Sequence, residues 1–139
     1  MAKRTIIKPG DILVIPVNDS AATAKVIFAS SYFKDVILIK LLQATTHSDV
    51  EAQQQTFDEN FDLYYTGAQP IKKGRWRVID SHPVSEAENS LTKRTSGGEV
   101  WLEDTHLGPA SDRDLQTLPK MEVYGAALIE KYAARSATI

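Results

Sequence analysis

Cysteine is absent from all 139 residues. That excludes disulfides, thiolate metal sites and a cysteine nucleophile, and removes the main reason to expect an oxidising compartment. No apolar run approaches the roughly 20 residues that a membrane-spanning helix needs. The longest is Val36-Ile37-Leu38-Ile39, interrupted by Lys40 before Leu41-Leu42. The basic start Met1-Ala2-Lys3-Arg4 is followed only by Thr5-Ile6-Ile7 before Lys8-Pro9-Gly10, which is too short for a secretory leader. These features lead us to expect no membrane partner and a cytoplasmic location. Nucleophile-elbow, P-loop, zincin and EF-hand patterns are missing. The three histidines, His47, His82 and His106, do not stand at metal-ligand spacing. No catalytic residue, cofactor or metal is therefore expected, and the chain reads as a non-enzyme. A site built on His82 and His106 would need tertiary contacts to bring them together.

What is present is an ordinary globular composition on one domain, residues 1–139, with 42% hydrophobic and 24% charged residues. Pro9-Gly10 launches an apolar strand, Asp11-Ile12-Leu13-Val14-Ile15, in which neighbouring positions on both faces are apolar, as in a strand with core on either side. Pro16 cannot donate to a ladder, so the strand should end, bulge or lie at an edge there. Further strands are expected at Thr23–Ser30 and Val36–Leu42, the latter rich in β-branched residues. The polar stretch 44–60 reads as a long loop or as a short helix capped by Asp49. Strands at Phe61–Thr66 and Arg75–Asp80 follow. In the second, the two-residue period places Trp76 and Val78 on the core side and Arg75 and Arg77 in solvent. The segment from Ser81 to Leu118 reads as largely loop, with a short strand at Glu99–Glu103 and one helical turn from Ser111. A closing helix is expected from Pro119, its stripe being Met121, Tyr124, Leu128 and Tyr132, with Gly125 implying close packing inside it. The fold class expected is α+β: a strongly bent antiparallel sheet or SH3-like half-barrel with the C-terminal helix packed on it.

Net charge is −2, which argues against nucleic acid as a partner. Charge is unevenly spread. Residues 1–77 hold ten Lys/Arg and eight Asp/Glu, whereas residues 78–139 hold six and ten. Asp80, Glu86, Glu88, Glu99, Glu103, Asp104, Asp112 and Asp114 are opposed in that stretch only by Lys93, Arg94 and Arg113. Such a cluster is commonly a solvated face, but it also suits docking of a basic partner. Trp101, in a short apolar segment among these acids, is the natural anchor for an interface. The partner-binding set expected is therefore Glu86, Glu88, Glu99, Trp101, Glu103 and Asp104. The basic run Lys72-Lys73-Gly74-Arg75-Trp76-Arg77 could instead contact phosphate and stack a base.

Taken together, several segments resemble the bacterial immunity proteins of polymorphic toxin systems, most closely immunity protein family twenty-six. They are Lys8-Pro9-Gly10-Asp11-Ile12 through Ile15-Pro16-Val17, Leu63-Tyr64, Lys73-Gly74-Arg75-Trp76-Arg77-Val78-Ile79 leading to His82-Pro83, Trp101, and Val123-Tyr124-Gly125-Ala126-Ala127-Leu128-Ile129-Glu130. The resemblance implies a protein that binds one cognate toxin domain stoichiometrically and blocks it without catalysis. The charge clustering, taken as the interface, leads us to expect that its acids mimic the anionic substrate of a basic, nuclease-like toxin. The alternative is an SH3-like barrel module that binds RNA or peptide, similar in shape to toxin endoribonucleases, whose opening strand Pro9–Val14 resembles.

Overall fold

A computed structural model describes residues 7–17, 20–33, 35–46 and 61–137. The chain enters β1 (Asp11–Val17) through Gly10 at φ +101, where a Cβ would sit 2.4 Å from the His82 carbonyl oxygen, so glycine alone fits. β2 (Ser20–Ala29) and β3 (Val36–Thr46) follow, then β4 (Phe61–Gly67), the short helix α1 (Gln69–Lys72) and β5 (Arg77–Ser81). Next come α2 (Glu86–Ser90), β6 (Arg94–Ser96), β7 (Glu99–Leu102), β8 (Thr105–Pro109) and α3 (Asp112–Thr117). The last elements are β9 (Val123–Tyr124) and α4 (Ala126–Ala137).

The main sheet has the order β5-β1-β2-β3-β4-β9, antiparallel except for the parallel β4–β9 pair. Register shifts at Ile12/Leu13, Ala22/Ala24 and Val26/Phe28 mark where it bends. β5 and β9 are its two edges, so the sheet is bent but does not close into a barrel. Pro16 lies beyond the stretch of β1 that pairs with β5, which leaves its missing N–H without consequence.

Both faces of this sheet are covered. On one, Leu13, Ile15, Val17, Ala22, Ala24, Val26, Ile37, Ile39 and Leu41 pack with Ile71, Trp76 and, from α4, Ile129 and Ala133. Glu130 of α4 accepts from Arg75 Nε at 2.6 Å and Trp76 Nε1 at 3.1 Å, fixing the helix to the chain end of α1. The opposite face carries Ile12, Ile27, Phe28, Leu38, Leu42 and Tyr65. It lies under Val84, Met121 and the antiparallel sheet β6-β7-β8.

That second face also holds two lysines. Lys25 and Lys40 are direct cross-strand partners in β2 and β3, and both are buried. Like charges placed opposite repel, and buried charge requires pairing. Glu88 of α2 supplies it: its Oε1 receives Lys25 Nζ at 2.8 Å and its Oε2 receives Lys40 Nζ at 2.9 Å. Lys25 Nζ also donates to the Pro83 carbonyl at 3.0 Å, and Lys40 lies over the Phe61 ring at 4.3 Å. Glu88 closes a capping box as well. The Ser85 N–H donates to its Oε1 at 3.0 Å, while its own N–H donates to Ser85 Oγ at 3.1 Å.

Several sequence expectations change here. The region after Ser81 is not a loose acidic loop, because it forms α2 and the three-stranded sheet and covers the core. Trp76 is fully buried, but Val78 is 42% exposed. Trp76 precedes β5 and is placed by a turn, with its N–H bonded to the Pro70 carbonyl at 3.1 Å, so the strand period does not reach it. The final helix starts at Ala126, not Pro119, because Val123-Tyr124 pairs with Tyr65-Thr66. Gly125 then precedes the helix, and no atom lies within 4 Å of where its Cβ would be, which removes the close-packing argument. β3 runs on through Ala44–Thr46, the start of the stretch 44–60 expected as loop or short helix, and the rest of that stretch, 47–60, lies outside the described residues.

Burial works to raise the Glu88 carboxyl, but the bonds from Lys25, Ser85 and Lys40 outweigh it and hold the pKa at about 2, against 4.5 for an ordinary glutamate. A depressed folded-state pKa gives stability that is present above about pH 4.5 and is lost as pH falls toward 2, on the order of 3 kcal/mol in all. Glu88→Gln should cost about 3–5 kcal/mol at neutral pH, since it removes the carboxylate charge shared by two buried lysines. It should also flatten the acid limb of the stability curve between pH 5 and about pH 2. Urea denaturation across that pH range measures both effects.

Candidate partner-binding surface

The expected interface residues do not share one surface. Glu86 is exposed in the first turn of α2. Glu88 is two residues on but buried, so it is unavailable to a partner and belongs to the core instead. The other four, Glu99, Trp101, Glu103 and Asp104, lie on the β7–β8 hairpin.

This hairpin has a two-residue turn, Glu103-Asp104, since Leu102 pairs with Thr105. Glu103 adopts φ +54, a conformation usually left to glycine or asparagine in such turns. The surroundings over-determine it: its N–H donates to Thr92 Oγ1 at 3.0 Å, and its carbonyl accepts from Arg94 Nη1 at 2.5 Å. Asp104 points across to the β2–β3 loop. It accepts from Ser30 Oγ at 2.5 Å and the Ser31 N–H at 2.7 Å, and the Tyr32 N–H also bonds to it. Burial works to raise its carboxyl, but these bonds and the nearby Arg94 charge keep it below the usual aspartate range.

The loop so held carries Tyr32 and Phe33 onto the hairpin. Trp101 meets Tyr32 at a ring separation of 5.0 Å, Phe33 at 5.3 Å and its cross-strand partner His106 at 5.1 Å. His106 Nε2 lies 3.2 Å from Glu99 Oε2. Tyr32 is 66% exposed, and Leu107, next in β8, is also exposed. The result is an aromatic surface on a short, hydrogen-bonded hairpin, of the composition that dominates interface energetics.

Beneath it lies Arg94, fully buried. Its guanidinium lies over the rings of Phe33 at 5.6 Å, Phe28 at 5.7 Å and Tyr65 at 5.3 Å. Burial lowers its pKa from the ordinary arginine value, against the fields of Tyr65 and Asp104. Burial also pushes the Tyr65 hydroxyl up to about 12, so it is a neutral donor to the Thr92 carbonyl at 3.3 Å.

His82 and His106 are engaged separately, His82 with Asp80 at 3.3 Å and His106 with Glu99. No cluster of three or more His, Cys, Asp or Glu suited to a metal occurs among the described residues. No helix among them is long and apolar enough to cross a membrane. Comparison with protein-family models, curated proteins and solved structures finds no match. The family resemblance therefore rests on the sequence motifs alone.

Tyr32 and Phe33 read in sequence only as a connector, and Arg94 only as a charge among acids. The signal that could have found them is Tyr32-Phe33 after an apolar strand, with Ser30-Ser31 free to meet a carboxylate. Asp104→Asn should weaken three bonds to the loop and cost about 1–3 kcal/mol. It should also raise acrylamide quenching of tryptophan fluorescence, a change that reports Trp101 because Trp76 is fully buried.

Proposed function

We propose that this chain is a non-enzymatic, immunity-type protein that binds a cognate bacterial toxin domain in the cytoplasm and neutralises it stoichiometrically. The observation that carries the reading is the Tyr32–Trp101–His106 stack with its exposed tyrosine. A large, pre-positioned aromatic surface is what a hot spot needs, because little conformational entropy is left to lose on binding. The motif resemblance supports the same reading. Recognition by a general acidic face is weaker support, since Glu88 is buried, Asp104 is occupied by the loop and Glu99 faces His106.

The RNA-binding alternative relies on the basic run and its tryptophan. Trp76 is buried against α4 and is not offered to a base, and Arg75, though exposed, is engaged by Glu130 at 2.5 Å. The aromatic hairpin is better matched to a protein partner than to nucleic acid, given the overall charge of −2.

Co-expression with the C-terminal domain of a large toxin encoded beside this chain tests the proposal. Growth rescue and a one-to-one complex are expected. Tyr32→Ala and Trp101→Ala should each weaken the complex about 30-fold or more, as for hot-spot residues worth 2 kcal/mol, while Glu86→Lys should change it little. A toxin that still kills, with no complex formed, rejects the reading.

A further inference from the structure

A concave site lies apart from the aromatic hairpin. A cleft of about 580 Å³ opens between α1 with the turn after it and the junction of β9 with α4, and no hairpin residue lines it. That volume falls in the range of small-molecule sites. Both walls are tied to the main sheet. On one side β9 pairs with β4, and Thr66 Oγ1 donates to the Tyr124 carbonyl at 2.6 Å. On the other, Arg75 and Trp76 donate to Glu130 of α4. The cleft is thus shaped before any ligand arrives, and binding there leaves little of the protein to order.

Its lining sorts by chemistry. Pro70, Val123 and Tyr124 supply apolar wall, and Val123 is 53% exposed although it belongs to the sheet. The charged residues of the lining, Lys73 and Arg75, are both cationic. Arg75 uses Nε and Nη2 on Glu130 and leaves Nη1 without a partner among the described residues. Because Glu130 balances the Arg75 charge, Lys73 sets the sign of the site; it is exposed and makes no ion pair among the described residues. Gly125 lines the same cleft. Its φ lies outside the left-handed region, and no atom stands within 4 Å of where its Cβ would be. Neither backbone conformation nor packing calls for glycine there, and a side chain would extend into the open space of the cleft.

We propose that this cleft binds a small apolar monocarboxylate, its hydrocarbon body against Pro70, Val123 and Tyr124 and its carboxylate toward Lys73 and Arg75 Nη1. One net positive charge matches one carboxylate. Inorganic phosphate would leave the apolar wall in water, and an amine would meet two cations. The site is independent of the toxin-binding reading.

Titration of the isotope-labelled full chain with hydrocinnamate, followed by amide NMR, tests the proposal. Hydrocinnamyl alcohol and phenylpropylamine share the body and change only the head group. Hydrocinnamate should give saturable shifts at Val123, Gly125, Ala126 and Arg75, with a Kd near or below about 1 mM. The alcohol should bind about threefold more weakly, and the amine more weakly still. Lys73→Gln should weaken the acid about threefold and leave the alcohol unchanged. Gly125→Leu, at an exposed position, should keep a folded spectrum and lose the shifts from both. Should that variant fail to fold, the parent's shift map and Lys73→Gln still decide. No saturable shift, or shifts centred elsewhere, overturns the site. Equal affinity for acid and alcohol overturns the choice of a carboxylate. Tighter binding of the peptide acetyl-Ala-Ala-Phe with a free C-terminus overturns the choice of a free small molecule. A chain that neutralises the toxin but shows no hydrocinnamate response loses this site alone, and the converse result rejects only the toxin reading.

Discussion

The constraint on which the rest depends is that a sheet apolar on both faces carries two opposed lysines on one of them. A strand pair with Lys25 facing Lys40 cannot bury that face unaided, because the repulsion and the desolvation act in the same direction. Glu88 resolves this from 48 residues beyond Lys40 in sequence, and in doing so determines where everything between Ser81 and Met121 must lie. Once α2 is docked by its carboxylate, β6 begins four residues after its end, and the small sheet has nowhere to go but over Phe28 and Tyr65. Thr95 then ties that sheet to the returning chain, its N–H bonding the Pro119 carbonyl at 2.9 Å and its carbonyl accepting from Met121 at 2.8 Å.

The same constraint explains why recognition and core share residues here. A buried acid on α2 holds the small sheet, the small sheet presents the β7–β8 hairpin, and the hairpin presents Trp101 and reaches back through Asp104 for the β2–β3 loop. The loop's aromatic pair returns to Trp101, so the exposed surface is closed by a ring of contacts between two sheets. A partner that binds there touches side chains whose positions derive from the interior, and the orientation of that surface is therefore as stable as the domain.

Much of the main sheet was legible in the sequence because its signals are local. The apolar alternation of β1 to β4 and the turn at Pro9-Gly10 need no knowledge of distant residues. The covering layer was missed for the opposite reason. Glu88 looks like one more surface acid unless Lys25 and Lys40 are recognised as buried charges that demand it. Ser85-Glu86-Ala87-Glu88 did carry a capping-box pattern, as did Ser111 through Asp114, where the helical turn was expected and found. The closing helix began late because β9 took Val123 and Tyr124 into a parallel pair, a tertiary choice that overrides helical spacing. Of the interface, Trp101 and the hairpin acids were visible, but their division into buried, tied and exposed members depends on contacts more than 70 residues apart, such as Ser30 with Asp104.

The three buried cations among the described residues, Lys25, Lys40 and Arg94, are not treated alike. Lys25 is matched by a carboxylate and a carbonyl, as expected where the cost of burial is offset by good geometry. Arg94 is matched only in part: Nη1 donates to two carbonyls, Nε and Nη2 have no hydrogen-bond partner among the described residues, and the rings around it supply cation–π attraction. Were stability the whole explanation, the better-satisfied solution used at Lys25 would serve as well at Arg94.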